Sequence, residues 1–116
     1  MVPIGTYVKS LTFDCTDALV VARFWAAALG GQVDADSTND NAYVEAPGWG
    51  GPNLWFQRVP EPRTAKNRMH FDLRAPNGDV PAEVTRLSEL GATVVTPGDE
   101  LTVMQDHEGN VFCVED

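Results

Sequence analysis

The feature that most constrains this chain is an internal repeat. Three short segments recur in the same order about 60 residues later, as expected for a duplicated structural unit. Ser10–Asp14 matches His70–Arg74, Ala28–Val33 matches Glu89–Val94, and Pro52–Phe56 matches Gly109–Cys113. The repeat predicts two units, residues 5–58 and 68–116, joined by an exposed, proline-containing linker at 59–67.

Each unit is predicted to hold one strand, one helix and three further strands. Asp17 and Asp79 are the expected N-caps of the helices, and Gly30 and Gly91 follow their expected ends. The strands after the helices are expected near 31–36, 41–46, 53–58, 92–96, 100–105 and 110–115. This order predicts an α+β fold in residues 1–116: two tandem βαβββ modules forming a curved mixed sheet around a cleft, with the helices outside.

The strands separate apolar from polar side chains, because successive residues point to opposite faces of a sheet. Leu11 and Phe13 alternate with Thr12 and Asp14, which predicts an apolar face against the helix and a polar face in the cleft. Such a polar face can also simply contact solvent. Two aromatic residues join the polar set, one from the repeat alignment and one from a Gly/Pro-rich loop. The predicted ligand-binding residues are His70, Asp72, Asp14, Phe56, Trp49, Cys113 and Glu115.

His70 and Cys113 are the residues most open to a chemical role. His70 lies on a polar strand face two residues from Asp72, so it fits a hydrogen-bonded structural histidine, a ligand contact, an acid–base group or a metal ligand. It is the single candidate catalytic residue. Cys113 fits a small buried thiol, or a nucleophile that would need His70 as its base.

The charge balance narrows the class of partner. Eight Lys and Arg residues against 17 Asp and Glu give a formal net charge of −9. Nucleic acids and anionic membranes select basic surfaces, so neither is expected as a partner. An acidic protein favours a neutral or cationic small molecule, although the same charge also serves solubility.

The location and assembly predicted from the sequence are simple. No apolar run approaches the roughly 18 residues that a membrane span needs, and no signal peptide precedes the first strand. We therefore expect a cytoplasmic protein with reduced cysteines. A homodimer is expected, because short units of this kind leave sheet edges and helix faces to be covered.

The chain resembles the glyoxalase/bleomycin-resistance/dioxygenase (vicinal oxygen chelate) superfamily, and most closely its short glyoxalase-like members. The resemblance covers nearly the whole chain. It rests on Asp17–Gly30, Asn67–Asp72, Glu89–Ala92 and Asp106–Cys113. It implies the fold predicted above, whereas function must be argued from the site itself.

Metal-using members of that superfamily place ligands at four strand positions. Carried onto this sequence, those positions are Ser10, roughly Phe56, His70 and Cys113, of which only His70 is a usual ligand. A one-residue shift would bring in Gln57. No metal or other cofactor is therefore expected. A divalent metal, if bound, would use His70, Cys113 and Glu115.

The resemblance leaves three hypotheses for function. The favoured one is a metal-free small-molecule-binding protein, similar to the antibiotic-sequestering members of the superfamily. The second is a metal-dependent lyase, isomerase or dioxygenase with an altered ligand set. The third is a structural or regulatory partner of another protein. The sequence does not decide whether the protein is an enzyme.

Overall fold

The computed structural model of the protein describes residues 5–45 and 51–116, so Trp49 lies outside the described residues. The chain divides into two compact units, the first ending at Val59 and the second beginning at Pro60. Each unit is described below by itself.

The first unit contains one helix and a three-stranded mixed sheet. Its elements are β1 (Ser10–Cys15), α1 (Ala18–Leu29), β2 (Asn41–Val44) and β3 (Asn53–Arg58). The strand order is β1-β3-β2, with β3 parallel to β1 and antiparallel to β2. The central strand of this sheet is therefore β3.

The strand expected near 31–36 is wrong, because only one bridge forms there, between Val33 and Val44. The chain turns just after it. The Asp34 carboxylate accepts a hydrogen bond from the Asp36 amide at 3.1 Å, and the Asp34 carbonyl accepts one from the Ser37 amide. An Asp side chain that bonds the backbone two residues on favours a turn over an extended ladder.

The second unit has the full predicted order. Its elements are β4 (Phe71–Arg74), a short 3-10 turn (Pro76–Gly78), α2 (Val80–Glu89), β5 (Thr93–Thr96), β6 (Leu101–Gln105) and β7 (Val111–Glu115). The four-stranded sheet has the order β4-β7-β6-β5, with β4 parallel to β7 and the other pairs antiparallel. The predicted α+β class and the tandem modules are thus confirmed.

Both helices begin and end where the sequence predicts. The Asp17 carboxylate accepts hydrogen bonds from the Val20 amide at 3.3 Å and from Asn39 Nδ2 at 2.7 Å. These bonds stabilise the charged form and hold the pKa of Asp17 below its usual value. Asp79 caps α2 by accepting from the Ala82 amide at 3.1 Å. Gly30 closes α1 with a φ of 74°.

Each helix packs on one face of its own sheet. In the first unit, α1 buries Val21, Phe24 and Trp25 above Leu54 and Phe56 of β3. In the second unit, α2 packs on β5, β6 and β7. The buried side chains of that layer include Val80, Leu87, Met104, Phe112 and Val114. The opposite sheet faces therefore remain available for polar side chains.

The helices of the described residues have no membrane-spanning character. None of them is both long enough and apolar enough to cross a bilayer.

Candidate functional site

The pairing of β4 with β7 defines the polar face of the second unit. Asp72 lies directly opposite Cys113, and Arg74 lies opposite Glu115. The alternate pairs, Phe71 with Phe112 and Leu73 with Val114, belong to the face that packs on α2. The register thus places one thiol and two carboxylates on the same sheet face, as the alternation predicts.

His70, Asp72 and Cys113 come together on this face. Their candidate ligand atoms all lie within 4.8 Å of one another. His70 Nε2 lies 3.2 Å from Asp72 Oδ1, and the two side chains are 45% and 57% exposed. Cys113 is half-buried in β7. The group offers an imidazole nitrogen, a carboxylate oxygen and a sulfur atom, which is a mixed donor set for hydrogen bonding or metal binding.

Two side chains of the preceding segment fix the approach of the chain to this group. The Asn67 amide accepts a hydrogen bond from the Val111 amide at 3.0 Å and donates to the Met69 carbonyl. Arg63 donates to the Glu108 and Ala65 carbonyls at 3.2 and 3.0 Å. The segment expected to be a solvated linker is therefore hydrogen-bonded to the turn before β7. These contacts bring His70 beside Asp72.

The environment of Cys113 disfavours its thiolate. Partial burial raises the pKa of the thiol, and the negative charges of Asp72 and Glu115 raise it further, while Lys66 acts weakly in the opposite direction. A thiol with a raised pKa is a poor nucleophile at neutral pH. The nucleophilic role considered for Cys113 is therefore not supported by its surroundings.

The turn before β7 is built around a buried carboxylate. Asp106 is 4% exposed and accepts hydrogen bonds from the Glu108 amide at 2.8 Å, the Asn110 amide at 2.9 Å and Asn110 Nδ2 at 2.9 Å. Gly109 has the positive φ that the sequence predicts, 80°. Arg63 also donates to Asn110 Oδ1. The sequence predicts the turn, but it gives no signal that Asp106 organises it.

The first unit presents a different polar face. Trp55 lies between Thr12 and Tyr43 in the sheet register, and its ring centroid is 4.5 Å from that of Tyr43, at 47°. Although it is on the central strand, Trp55 is 41% exposed. Asp14 lies on the same face and accepts a hydrogen bond from Gln57 Nε2 at 2.7 Å. An aromatic surface and a carboxylate thus share one sheet face.

The prediction that Phe56 lies on the polar face is wrong. Phe56 is fully buried on the helix-packed face, where its ring centroid is 5.2 Å from that of Phe13. The repeat alignment placed Phe56 opposite Cys113 in sequence, whereas the strand registers make Trp55 the equivalent of Cys113. A one-residue slip exchanges the two faces of a strand. The alternation of Asn53, Trp55 and Gln57 with apolar residues was the available signal.

The remaining predicted residues divide between the units. Asp14 belongs to the first unit, and Glu115 lies opposite Arg74, two residues beyond Cys113. The converging group contains Asp72 in the place that the predicted metal set gave to Glu115. His107, expected to be simply exposed, is exposed but lies against Gly91, where a Cβ atom would be 2.2 Å from its Nε2.

The four metal positions implied by the resemblance do not fit an octahedral oxygen and nitrogen site. With the register corrected they hold Ser10, Trp55, His70 and Cys113. An indole cannot ligate a metal, a serine hydroxyl is a weak ligand, and thiolates select soft metals. We therefore derive no catalytic step through such a metal.

Several solved structures share this fold. A glyoxalase/bleomycin resistance/dioxygenase family enzyme from Burkholderia phytofirmans PsJN is 16% identical, with a TM-score of 0.74 over 91% of this chain and 94% of that chain. TnmS3, an antibiotic binding protein from Streptomyces sp. CB03234, is 22% identical, with a TM-score of 0.67 over 97% of both chains.

A third structural relative is described as a complex with a metal. It is a mutant of the fosfomycin resistance protein FosX from Listeria monocytogenes, complexed with Mn(II) and 1S,2S-dihydroxypropylphosphonic acid. It is 12% identical, with a TM-score of 0.71 over 97% of this chain and 90% of that chain. At such identities these likenesses show the fold alone.

The sequence comparisons identify the family. No curated protein sequence matches the chain significantly. The family model described as "Glyoxalase-like domain" matches residues 10–115, which include all seven strands and both helices. This protein therefore belongs to the glyoxalase-like domain family.

Proposed function

We propose that this protein binds a small organic molecule, neutral or cationic, and that this binding requires no metal. The observation that carries the proposal is the exposed aromatic pair of Trp55 and Tyr43 on the polar sheet face of the first unit. An aromatic side chain this exposed on a central strand leaves apolar area in contact with water. Covering that area with a ligand is favourable.

The surroundings of the aromatic pair favour a flat or positively charged ligand. A cation over an indole ring is attracted by the ring quadrupole, and Trp is the best of the aromatic side chains for this contact. Asp14 places a carboxylate on the same face, held by Gln57. The net charge of −9 attracts cations to the protein in general.

The acidic face of the second unit belongs to the same proposal. His70, Asp72 and Glu115 lie on one sheet face and offer hydrogen-bond acceptors for a polar or cationic group of a ligand. TnmS3 is an antibiotic binding protein with the same fold, which supports binding rather than turnover as the class of function. Sequestration requires affinity alone, so none of these residues needs to react.

The binding proposal predicts a loss of affinity when the exposed tryptophan is removed. A thermal-shift screen of planar and cationic aromatic compounds, run with excess EDTA, should yield a ligand whose affinity is then measured by calorimetry. We expect Trp55→Ala to weaken binding about 10-fold or more, because a ring contact with a cation contributes roughly 1–2 kcal/mol. Trp55→Phe should retain most of the affinity.

The control for that experiment is an exposed apolar residue in the other unit. Val95 is 50% exposed on β5, and Val95→Ala should leave ligand affinity unchanged. A screen without hits, or an affinity that Trp55→Ala does not alter, would contradict the proposal. Binding that EDTA abolishes would favour the competing hypothesis, a metal-dependent lyase, isomerase or dioxygenase.

We also propose that the protein is a homodimer in solution. Strand β5 is the edge of the second sheet, and all four of its residues are exposed, including Val94 and Val95. Open edges with apolar side chains favour pairing with another chain. Light scattering at micromolar concentration should give twice the mass of one chain. The mass of a single chain would refute the dimer.

A further inference from the structure

We infer that His70, Asp72 and Cys113 form a binding site for one thiophilic divalent cation of the zinc class, contained within the second unit. This site differs from the four positions that the superfamily resemblance implies, because it includes Asp72 and draws no ligand from the first unit. It also goes beyond the binding proposal, which requires no metal and is carried by the aromatic pair.

The positions of the donor atoms suit a small tetrahedral ion. Ligand atoms bound at about 2.0–2.3 Å in a tetrahedron lie roughly 3.5 Å from one another. His70 Nε2 and Asp72 Oδ1 are already 3.2 Å apart, and all three donors lie within 4.8 Å. Small rotations of two exposed side chains are enough to close the remaining distance, because His70 and Asp72 are not packed in the core.

The backbone beneath the donors is held in place. Asp72 and Cys113 are direct partners in the parallel pairing of β4 with β7. His70 precedes β4, and Asn67 ties that part of the chain to the Val111 amide at 3.0 Å. Donors on paired strands with an anchored approach lose little conformational entropy on binding a metal, which favours affinity.

The donor set determines which metals bind. A thiolate and an imidazole favour zinc, cobalt(II) and related borderline or soft ions, whereas magnesium and manganese prefer all-oxygen sites. The carboxylates of Asp72 and Glu115 add negative charge around the thiol, which a divalent cation would neutralise. Three protein ligands leave at least one coordination position for water or for an external ligand.

Cobalt(II) tests this site directly, since cobalt–thiolate bonds give a charge-transfer band in the near ultraviolet. Titration of the reduced full-length protein with cobalt(II) alone should give this band with one equivalent bound. Zinc(II) should displace the cobalt, and manganese(II) in excess should not. Cys113→Ser should abolish the band and weaken zinc binding by more than about 100-fold, beyond the loss expected for an outer-shell partner.

A matched variant separates the site from general acidity. Glu115→Gln alters a carboxylate on the same face, outside the donor group, and should keep both the band and the stoichiometry. Asp72→Asn should weaken zinc binding with the band still present at saturation. A band that survives Cys113→Ser, displacement of cobalt by manganese, or an absence of cobalt binding would overturn the inference.

The outcome is distinguishable from that of the binding proposal. Ligand affinity is measured in EDTA and is tested at Trp55, whereas the cobalt experiment contains no organic ligand and is tested at Cys113. Either result can fail while the other holds.

Discussion

Replacing Asp106 with alanine is expected to lower the free energy of unfolding by about 3 kcal/mol or more. The carboxylate is buried and accepts three hydrogen bonds, two of them from the Glu108 and Asn110 amides. Hydrogen bonds to a charged group contribute roughly 1.5–3 kcal/mol each, and donors left without an acceptor in a buried turn add a desolvation penalty. Urea unfolding of the wild type and the variant measures the difference.

Two further variants show that the effect belongs to the carboxylate. Asp106→Asn keeps one acceptor oxygen for the backbone amides, so it should lose clearly less stability than Asp106→Ala. Asp99→Ala changes an exposed aspartate in another loop and should stay within about 0.5 kcal/mol of the wild type. Equal losses for Asp106→Ala and Asp99→Ala would show that the buried carboxylate does not organise the turn.

Gly91→Ala is the second substitution with a large expected effect, about 3 kcal/mol of lost stability. Gly91 follows α2 with a φ of 114°, which L-residues rarely adopt. A Cβ atom there would also lie 2.2 Å from Nε2 and 2.5 Å from Cε1 of His107. Backbone strain and a steric clash therefore act together, and thermal or urea unfolding should detect their sum.

A double-mutant cycle separates these two contributions. In a His107→Ala background the clash is absent, so Gly91→Ala should cost only the backbone strain, roughly 1–2 kcal/mol. Gly30→Ala provides a second comparison, since Gly30 has a φ of 74° and open space around its Cβ position. If Gly91→Ala is no more damaging than Gly30→Ala, contact with His107 has no part in the cost.

The features that the sequence predicts best are local. Asp17 and Asp79 cap the two helices as expected, because a carboxylate at this position satisfies amides that the first turn leaves without partners. The order of strands in the second unit is also correct, since the alternation and the turn residues point to the same result. The duplication makes each of these predictions stronger, because every element is seen twice.

The errors come from register and from contacts between distant residues. Phe56 was placed on the wrong face because a repeat alignment fixes a position only to within one residue, and one residue reverses the face. The bonds from Arg63 to the turn at 106–110 could not be predicted, since they join residues 45 and 47 positions apart. Nothing in local spacing indicates such a pair.

The candidate metal group shows the same division. His70 and Cys113 could be selected by residue type, but the acid that joins them is decided by strand pairing. Asp72 faces Cys113 directly, whereas Glu115 is paired with Arg74. Burial of Glu83 in α2 is a similar case, because its carboxylate is held by Arg86 at 2.8 Å on a face that the sequence predicts to be apolar.

The equivalence of Trp55 and Cys113 has a consequence for how this protein can change over evolutionary time. One structural position carries a large aromatic ring in one copy of the unit and a soft sulfur donor in the other. In an undivided sheet a single position must serve every demand placed on it. A duplicated scaffold removes that conflict, so selection can alter the recognition chemistry of one copy while the other copy stays unchanged.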